Sequence, residues 1–146
     1  MTDRKYDQLL LKNQICFPLY AAAKGVVSLY RPMLDEVGLT YTQYITMMVL
    51  WEEGETDSKE LGKRLYLDSG TLTPVLKSLE KKGFINRHRS GADERRLIVS
   101  VTDEGYELRE KCIDIPSGLL AKCSCLSAEE AEDLYKILIK LNNSIQ

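Results

Sequence analysis

Apolar positions recur along the first quarter of the chain with a helical step. Leu9, Cys16, Ala23, Tyr30 and Val37 fall at successive sevens, and Leu19/Tyr20, Val26/Val27 and Met33/Leu34 fill the gaps. A stripe of that period predicts one long helix over residues 8–37. Pro18 and Pro32 each lack a backbone donor, so kinks or breaks are expected beside them. Gly38 ends the segment. A second helix starts at Thr40, which forms a capping box with Gln43. Its body, "YITMMVLWEE", is apolar on most sides and belongs in the core, and Gly54 closes it.

Shorter elements follow. "DSKELGKRL" predicts a short helix capped by Asp57 with Glu60 at its third position, and "YLDSG" predicts a break. "TLTPVLKSLEKKG" predicts a further helix with Leu72, Val75, Leu76 and Leu79 inward and Gly83 as its stop. Pro74 fits only near the start of that helix. "FINRHRS" and "RRLIVSV" read as two strands around the polar turn "GADE". After Thr102 the helical period returns through "DEGYELREKCIDIPSGLLAKCSC", bent near Pro116 and Gly118. The last helix, "SAEEAEDLYKILIKLNNSI", opens on a second capping box, Ser127 with Glu130.

A length of 146 residues predicts a single domain spanning 1–146, large enough for a core without disulfides or metal. No apolar run approaches the roughly 18 residues of a membrane span. The leading "MTDRKYDQ" is polar and has no signal-peptide core, so the expected location is the cytoplasm and no membrane partner is expected. There the cysteines at 16, 112, 123 and 125 are expected to rest as thiols. His88 is the single histidine, which limits acid–base and metal chemistry. The net charge of −2 conceals an asymmetry: residues 59–96 hold ten Lys/Arg against five Asp/Glu, and the remainder holds ten against seventeen. One basic segment in an acidic chain points to a surface that meets an anion, nucleic acid above all, although a fluctuation in a solvated surface explains it equally well.

The element order decides between them. Helix, short helix, break, helix and hairpin is the order of a winged helix-turn-helix, in a chain that is mainly α with a small β-hairpin wing. The second helix of such a unit lies in the major groove and opens with small polar residues that reach base edges. Here it opens with Ser69, Gly70, Thr71 and Thr73, followed by Lys77. The hairpin carries Arg87, Arg89, Arg95 and Arg96, suited to phosphates or the adjacent minor groove, with Lys63, Arg64, Lys81 and Lys82 as further phosphate candidates. Residues of about 40–101 then form the DNA-binding core. The apolar helices on either side, 8–37 and 103–146, are expected to be dimerisation helices in a homodimer that matches a pseudo-palindromic double-stranded operator.

"YLDSGTLTPVLKSLEKKGFINRHRSGADERRLIVSVTDEG" resembles the recognition helix and wing of the MarR family of bacterial regulators, with Asp93-Glu94-Arg95 as the wing signature. "NQICFPLY" followed by "LTYTQY" resembles the organic-hydroperoxide-resistance branch of that family. The resemblance covers nearly the whole chain. It implies a transcriptional repressor that releases its operator when an organic hydroperoxide oxidises Cys16.

A cysteine in an apolar stripe is, on its own, most often an inert core filler. A sensor needs a reachable sulfur with its charged form supported, and Lys12 and hydroxyl donors are the available supports. Tyr20, at i+4, shares the face of Cys16. Tyr30 lies fourteen residues along, about 21 Å on a helix, so only an antiparallel partner helix can bring it to the thiol. The resemblance implies a sensor pocket with tyrosines at the positions of Tyr20 and Tyr30, shared across the dimer. Phe17 and Leu19 make that pocket apolar, and Pro18 stands where the branch more usually carries an aliphatic or small residue. The resemblance also implies, for one group of the branch, a resolving cysteine in the C-terminal region of the other subunit. Cys125 suits that role better than Cys123, both are equally open to being incidental, and Cys112 reads as buried filler. Three other readings remain: a regulator released by a small aromatic ligand, a metal sensor built on Cys112, Cys123, Cys125 and His88, and an enzyme. C-x-C is not the usual spacing of a structural zinc site, so no metal and no cofactor are expected. No catalytic triad or nucleotide-binding fingerprint is present, so no enzyme is expected.

Overall fold

The structure, a computed structural model, describes residues 4–146. The first three residues of the leading octapeptide, and so the expected start of the domain at residue 1, lie outside the described residues.

The apolar stripe at the N-terminus does not make one helix. Residues Arg4–Leu9 and Leu11–Asn13 form two short 3₁₀ turns, and helix α1 runs only over Cys16–Val37. Pro18 explains the start. In a helix its ring would clash with the carbonyl four residues back, that of Gln14, and Gln14 is extended (φ −102°, ψ 101°). Pro18 therefore sits in the first turn, where its missing N–H costs nothing, and no kink is needed there. Pro32 is accommodated inside α1. Gly38 caps α1 in the left-handed conformation (φ 70°), as its position predicts.

Helix α2 (Tyr41–Glu53) begins at the expected capping box of Thr40 and Gln43. It supplies Met47 and Leu50 to the core, where they pack with Leu34, Leu61, Leu76, Leu79, Ile85 and Val99. Each such fully buried side chain contributes roughly 1.5–3 kcal/mol by its removal from water. After Gly54 comes an element the pattern does not predict, strand β1 (Glu55–Asp57). Then follow α3 (Ser58–Leu65), α4 (Ser69–Lys81), β2 (Ile85–Arg89) and β3 (Leu97–Val101). The expected two-stranded hairpin is thus part of a three-stranded antiparallel sheet of order β1-β3-β2, with Thr56 opposite Val99 and Arg87 opposite Val99 on the other side.

The C-terminal region also differs. It is not one bent helix but two, α5 (Asp103–Lys111) and α6 (Ile115–Lys122), separated at Cys112–Asp114. Pro116 marks the boundary, because it lies in the first turn of α6 and has no N–H to donate back to Cys112. Helix α7 (Ala128–Ile145) starts at the capping box of Ser127 and Glu130, and none of its residues is buried. No helix among the described residues is long and apolar enough to cross a membrane.

Candidate nucleic-acid interface and thiol site

The α3–α4 turn fixes the geometry of the helix-turn-helix. Tyr66 closes α3 in the left-handed conformation (φ 54°). A Cβ on Gly62 would lie 2.8 Å from the Leu67 carbonyl oxygen, so this close approach requires glycine. Asp68 then caps α4, accepting from the Thr71 N–H at 2.8 Å. The cap draws Ser69 and Gly70 into the first turn of α4 rather than leaving them in a break. Leu72, Leu76 and Leu79 anchor one face in the core. The opposite face exposes Ser69, Gly70, Thr71, Thr73 and Lys77. Five of the predicted base- and phosphate-facing residues are therefore brought together on one solvent-facing surface.

The four wing arginines divide. Arg89 and Arg95 are exposed, and among the described residues neither guanidinium has an ion pair. Arg87 is half-buried and donates to Glu80 on α4. Arg96 donates to Asp57 at 2.9 Å, and the Asp57 side chain is 7% exposed. Asp57 also caps α3, accepting from Lys59 N–H at 2.7 Å. The hydrogen bond from Arg96 is the main reason its carboxyl is held below the ordinary aspartate value. Asp93 shapes the wing turn, accepting from the Arg95 N–H at 3.0 Å. Its backbone carbonyl accepts from Arg96 N–H at 2.9 Å. Of the further cations, Lys63 pairs with Glu60 at 2.7 Å. Arg64 bridges Glu52 and Glu53 at 2.8 and 2.5 Å, and Lys82 reaches Gly38. The partners of Arg64 and Lys82 are nonlocal and have no short-range sequence signal, unlike the i,i+3 pair of Lys63 with Glu60.

Cys16 is the first residue of α1 and is exposed. Phe17 follows in the same turn and Tyr20 lies on the next, both exposed, with Lys24 Nζ 6.0 Å from the Tyr20 ring centroid. Tyr30 is not brought to Cys16 within the chain. Its ring packs against Tyr41 at 5.0 Å and Tyr44 at 5.8 Å between centroids. Burial raises the pKa of all three phenols, that of Tyr44 to about 12. Tyr41 and Tyr44 escape the sequence reading because neither lies on the α1 stripe. Only the fold stacks α2 against Tyr30.

Cys123 and Cys125 sit in the connection between α6 and α7, half-buried and exposed respectively. Cys112 is buried, as expected of a filler, and burial pushes its thiol pKa up. Among the described residues, no three His, Cys, Asp or Glu side chains gather as a metal-holding group.

A family model described as transcriptional regulator SarA/Rot matches residues 28–112. The chain is 44% identical over 135 residues to the organic hydroperoxide resistance transcriptional regulator of Bacillus subtilis (strain 168), covering 92% of this chain and 89% of that one. Reduced AbfR of Staphylococcus epidermidis bound to DNA superimposes with a TM-score of 0.79 at 35% identity, over 97% of this chain and 99% of that one. Disulfide-formed AbfR superimposes less closely, with a TM-score of 0.66 at 35% identity over 97% and 98%. These relatives are transcriptional regulators and not enzymes. Their shared winged helix-turn-helix, flanked by terminal helices, is the architecture of this chain, which belongs to the MarR/SarA-type transcriptional regulators, in the branch of the organic hydroperoxide resistance regulators.

Proposed function

We propose that this protein is a homodimeric DNA-binding repressor that senses organic hydroperoxides at Cys16 and then releases its operator. The observation that carries this reading is the setting of Cys16. It is an exposed thiol at the head of α1, flanked by exposed Ile15, Phe17 and Leu19. So much apolar surface on one segment is what a subunit interface covers. Helix α7 supports the same conclusion, since Leu134, Ile137, Leu141 and Ile145 form an exposed stripe at helical spacing. In a two-fold dimer of such helices, the head of one α1 lies beside the middle of the other. The phenols of Tyr30 and Tyr41, with Tyr20 beside them, are then the donors that hold the sulfur of the partner, within an apolar pocket that favours an organic hydroperoxide over hydrogen peroxide.

The domain spans the whole chain, with residues of about 40–101 as the DNA-binding core and 8–37 and 103–146 as the dimerisation helices. Ser69, Gly70, Thr71, Thr73 and Lys77 face bases and nearby phosphates, and Arg89 and Arg95 reach the flanking backbone or minor groove. Arg87 and Arg96 act indirectly, by holding the wing. In oxidation, the thiolate sulfur attacks the distal peroxide oxygen. The O–O bond breaks, the alkoxide leaves and takes up the proton that the thiol gave up, forming the alcohol, and Cys16 becomes a sulfenic acid. Condensation with a second thiol, Cys125 before Cys123, expels water and forms a disulfide.

Mass mapping tests the chemistry. One equivalent of cumene hydroperoxide is expected to oxidise Cys16 first, with Cys112 unmodified and a Cys16-containing intersubunit disulfide following. Oxidation confined to Cys123 or Cys125 contradicts the sensor assignment. Cys16 capped only by an added small thiol contradicts the resolving role alone.

A further inference from the structure

The helix that carries Cys16 ends at a joint with the recognition helix. Gly38, the cap of α1, offers its carbonyl oxygen to Lys82 Nζ at 2.5 Å, across 44 residues of sequence. Lys82 is the cap of α4. The same ammonium donates to Gln43 Oε1 at 3.1 Å. Gln43 Nε2 in turn donates to Ser78 Oγ on α4 at 2.9 Å, and Thr40 N–H donates to Gln43 Oε1 at 3.1 Å. The Gln43 residue is only 6% exposed. Its amide is held at both ends, by the α1–α2 connection and by two successive turns of α4.

Three physical features make this more than a surface contact. The Lys82 ammonium stands beside the C-terminus of α1, the negative end of its dipole, and its bond to the Gly38 carbonyl is charge-assisted. The central amide is buried, and a fully satisfied buried network has one preferred geometry. Each polar side chain of the joint is bonded within it, Lys82 to Gly38 and Gln43, and Gln43 to Ser78. The joint also sits at the end of α4 opposite Ser69, Gly70 and Thr71. A displacement of α1 therefore turns α4 as a lever, with its largest effect at the DNA-facing end.

We infer that Lys82, Gln43 and Ser78 are positioning residues that set the angle between α1 and α4, and that they carry an oxidation-driven movement of α1 to the recognition surface. This rests on the function proposed above and removes Lys82 from the phosphate contacts that its charge suggests.

The experiment measures binding to a duplex selected from a random-sequence pool by the reduced protein, before and after cumene hydroperoxide treatment. Wild type, Lys82→Met, Lys81→Met, Ser78→Ala and Ser78→Thr are compared. Wild type is expected to lose affinity on oxidation by a factor in the range of about 5–150. In Lys82→Met and Ser78→Ala that factor shrinks to about a third or less, while Cys16 oxidises at the wild-type rate. Lys81→Met, which loses the same charge one residue away, and Ser78→Thr, which keeps the hydroxyl, retain the wild-type factor. The salt slope of Lys82→Met stays at the wild-type value.

An unchanged factor in both Lys82→Met and Ser78→Ala overturns the inference and leaves the proposed function intact. So does a salt slope lowered by about one in Lys82→Met, the mark of a lost phosphate contact. If Lys82→Met does not fold, Ser78→Ala alone decides. A wild type that holds the duplex after Cys16 is oxidised overturns the proposed function, and the inference with it.

Discussion

The guanidinium of Arg96 rests on a buried carboxylate, whereas that of its neighbour Arg95 meets solvent at the wing turn. Two adjacent arginines that look equivalent in "DERR" therefore have different work. Arg95→Ala is expected to lower the salt slope of operator binding by about one, the loss of a single phosphate neutralised. Arg96→Ala is expected to weaken binding with the slope unchanged, because it loosens the wing without removing a contact. Equal slopes for the two variants, measured by titration from low to physiological salt, would contradict this division. The Asp57–Arg96 pair also predicts a pH dependence. The Asp57 carboxyl is depressed in the folded protein by the Arg96 hydrogen bond, with burial opposing. Its contribution to stability is therefore complete above the ordinary aspartate value of 3.8 and is lost as the pH falls through the lower folded value. Urea unfolding from neutral to acid pH should show a smaller acid loss for Arg96→Ala than for wild type. Parallel curves would refute it.

At the scale of elements, local signals were legible and nonlocal ones were not. The capping boxes at Thr40 and Ser127 and the stop glycines at 38 and 83 are written in neighbouring residues, and the structure keeps all of them. Strand β1 was hidden because "ETD" has no alternation and is defined only by pairing with β3, some 40 residues on. The early start assigned to α1 has a similar origin. Leu9 fits the helical period yet is 78% exposed, so the sevenfold step there had no packed face behind it and made no helix. The candidate site divides the same way. The exposed face of α4 follows from residue spacing, whereas the Tyr41 and Tyr44 neighbours of Tyr30 and the partners of Arg96 and Lys82 exist only in the fold. The α3–α4 turn gives a sharp test. Gly62→Ala places a methyl against the Leu67 backbone and is expected to cost about 1–3 kcal/mol, with weaker DNA binding because the entry to α4 shifts. A variant as stable as wild type by urea unfolding would show that the turn relaxes freely.

For the whole molecule, the terminal segments leave apolar surface uncovered in the single chain. Helix α7 has no buried residue in the single chain, and Ile137 is 62% exposed. Ile137→Glu should therefore leave the winged core folded while shifting sedimentation toward monomer and abolishing tight operator binding, since each half-site must be held by one subunit. A dimer of wild-type strength would place the interface elsewhere. The central claim, that oxidation of Cys16 releases DNA, is tested most directly by one comparison. Reduced wild type and Cys16→Ser are bound to the same duplex and titrated with cumene hydroperoxide. Both are expected to bind alike at the start, because Cys16 precedes α4 by more than fifty residues and heads a different helix. Only wild type should then dissociate, near one equivalent of hydroperoxide per subunit. Release of Cys16→Ser at the same dose would contradict the account and assign the sensing to another thiol.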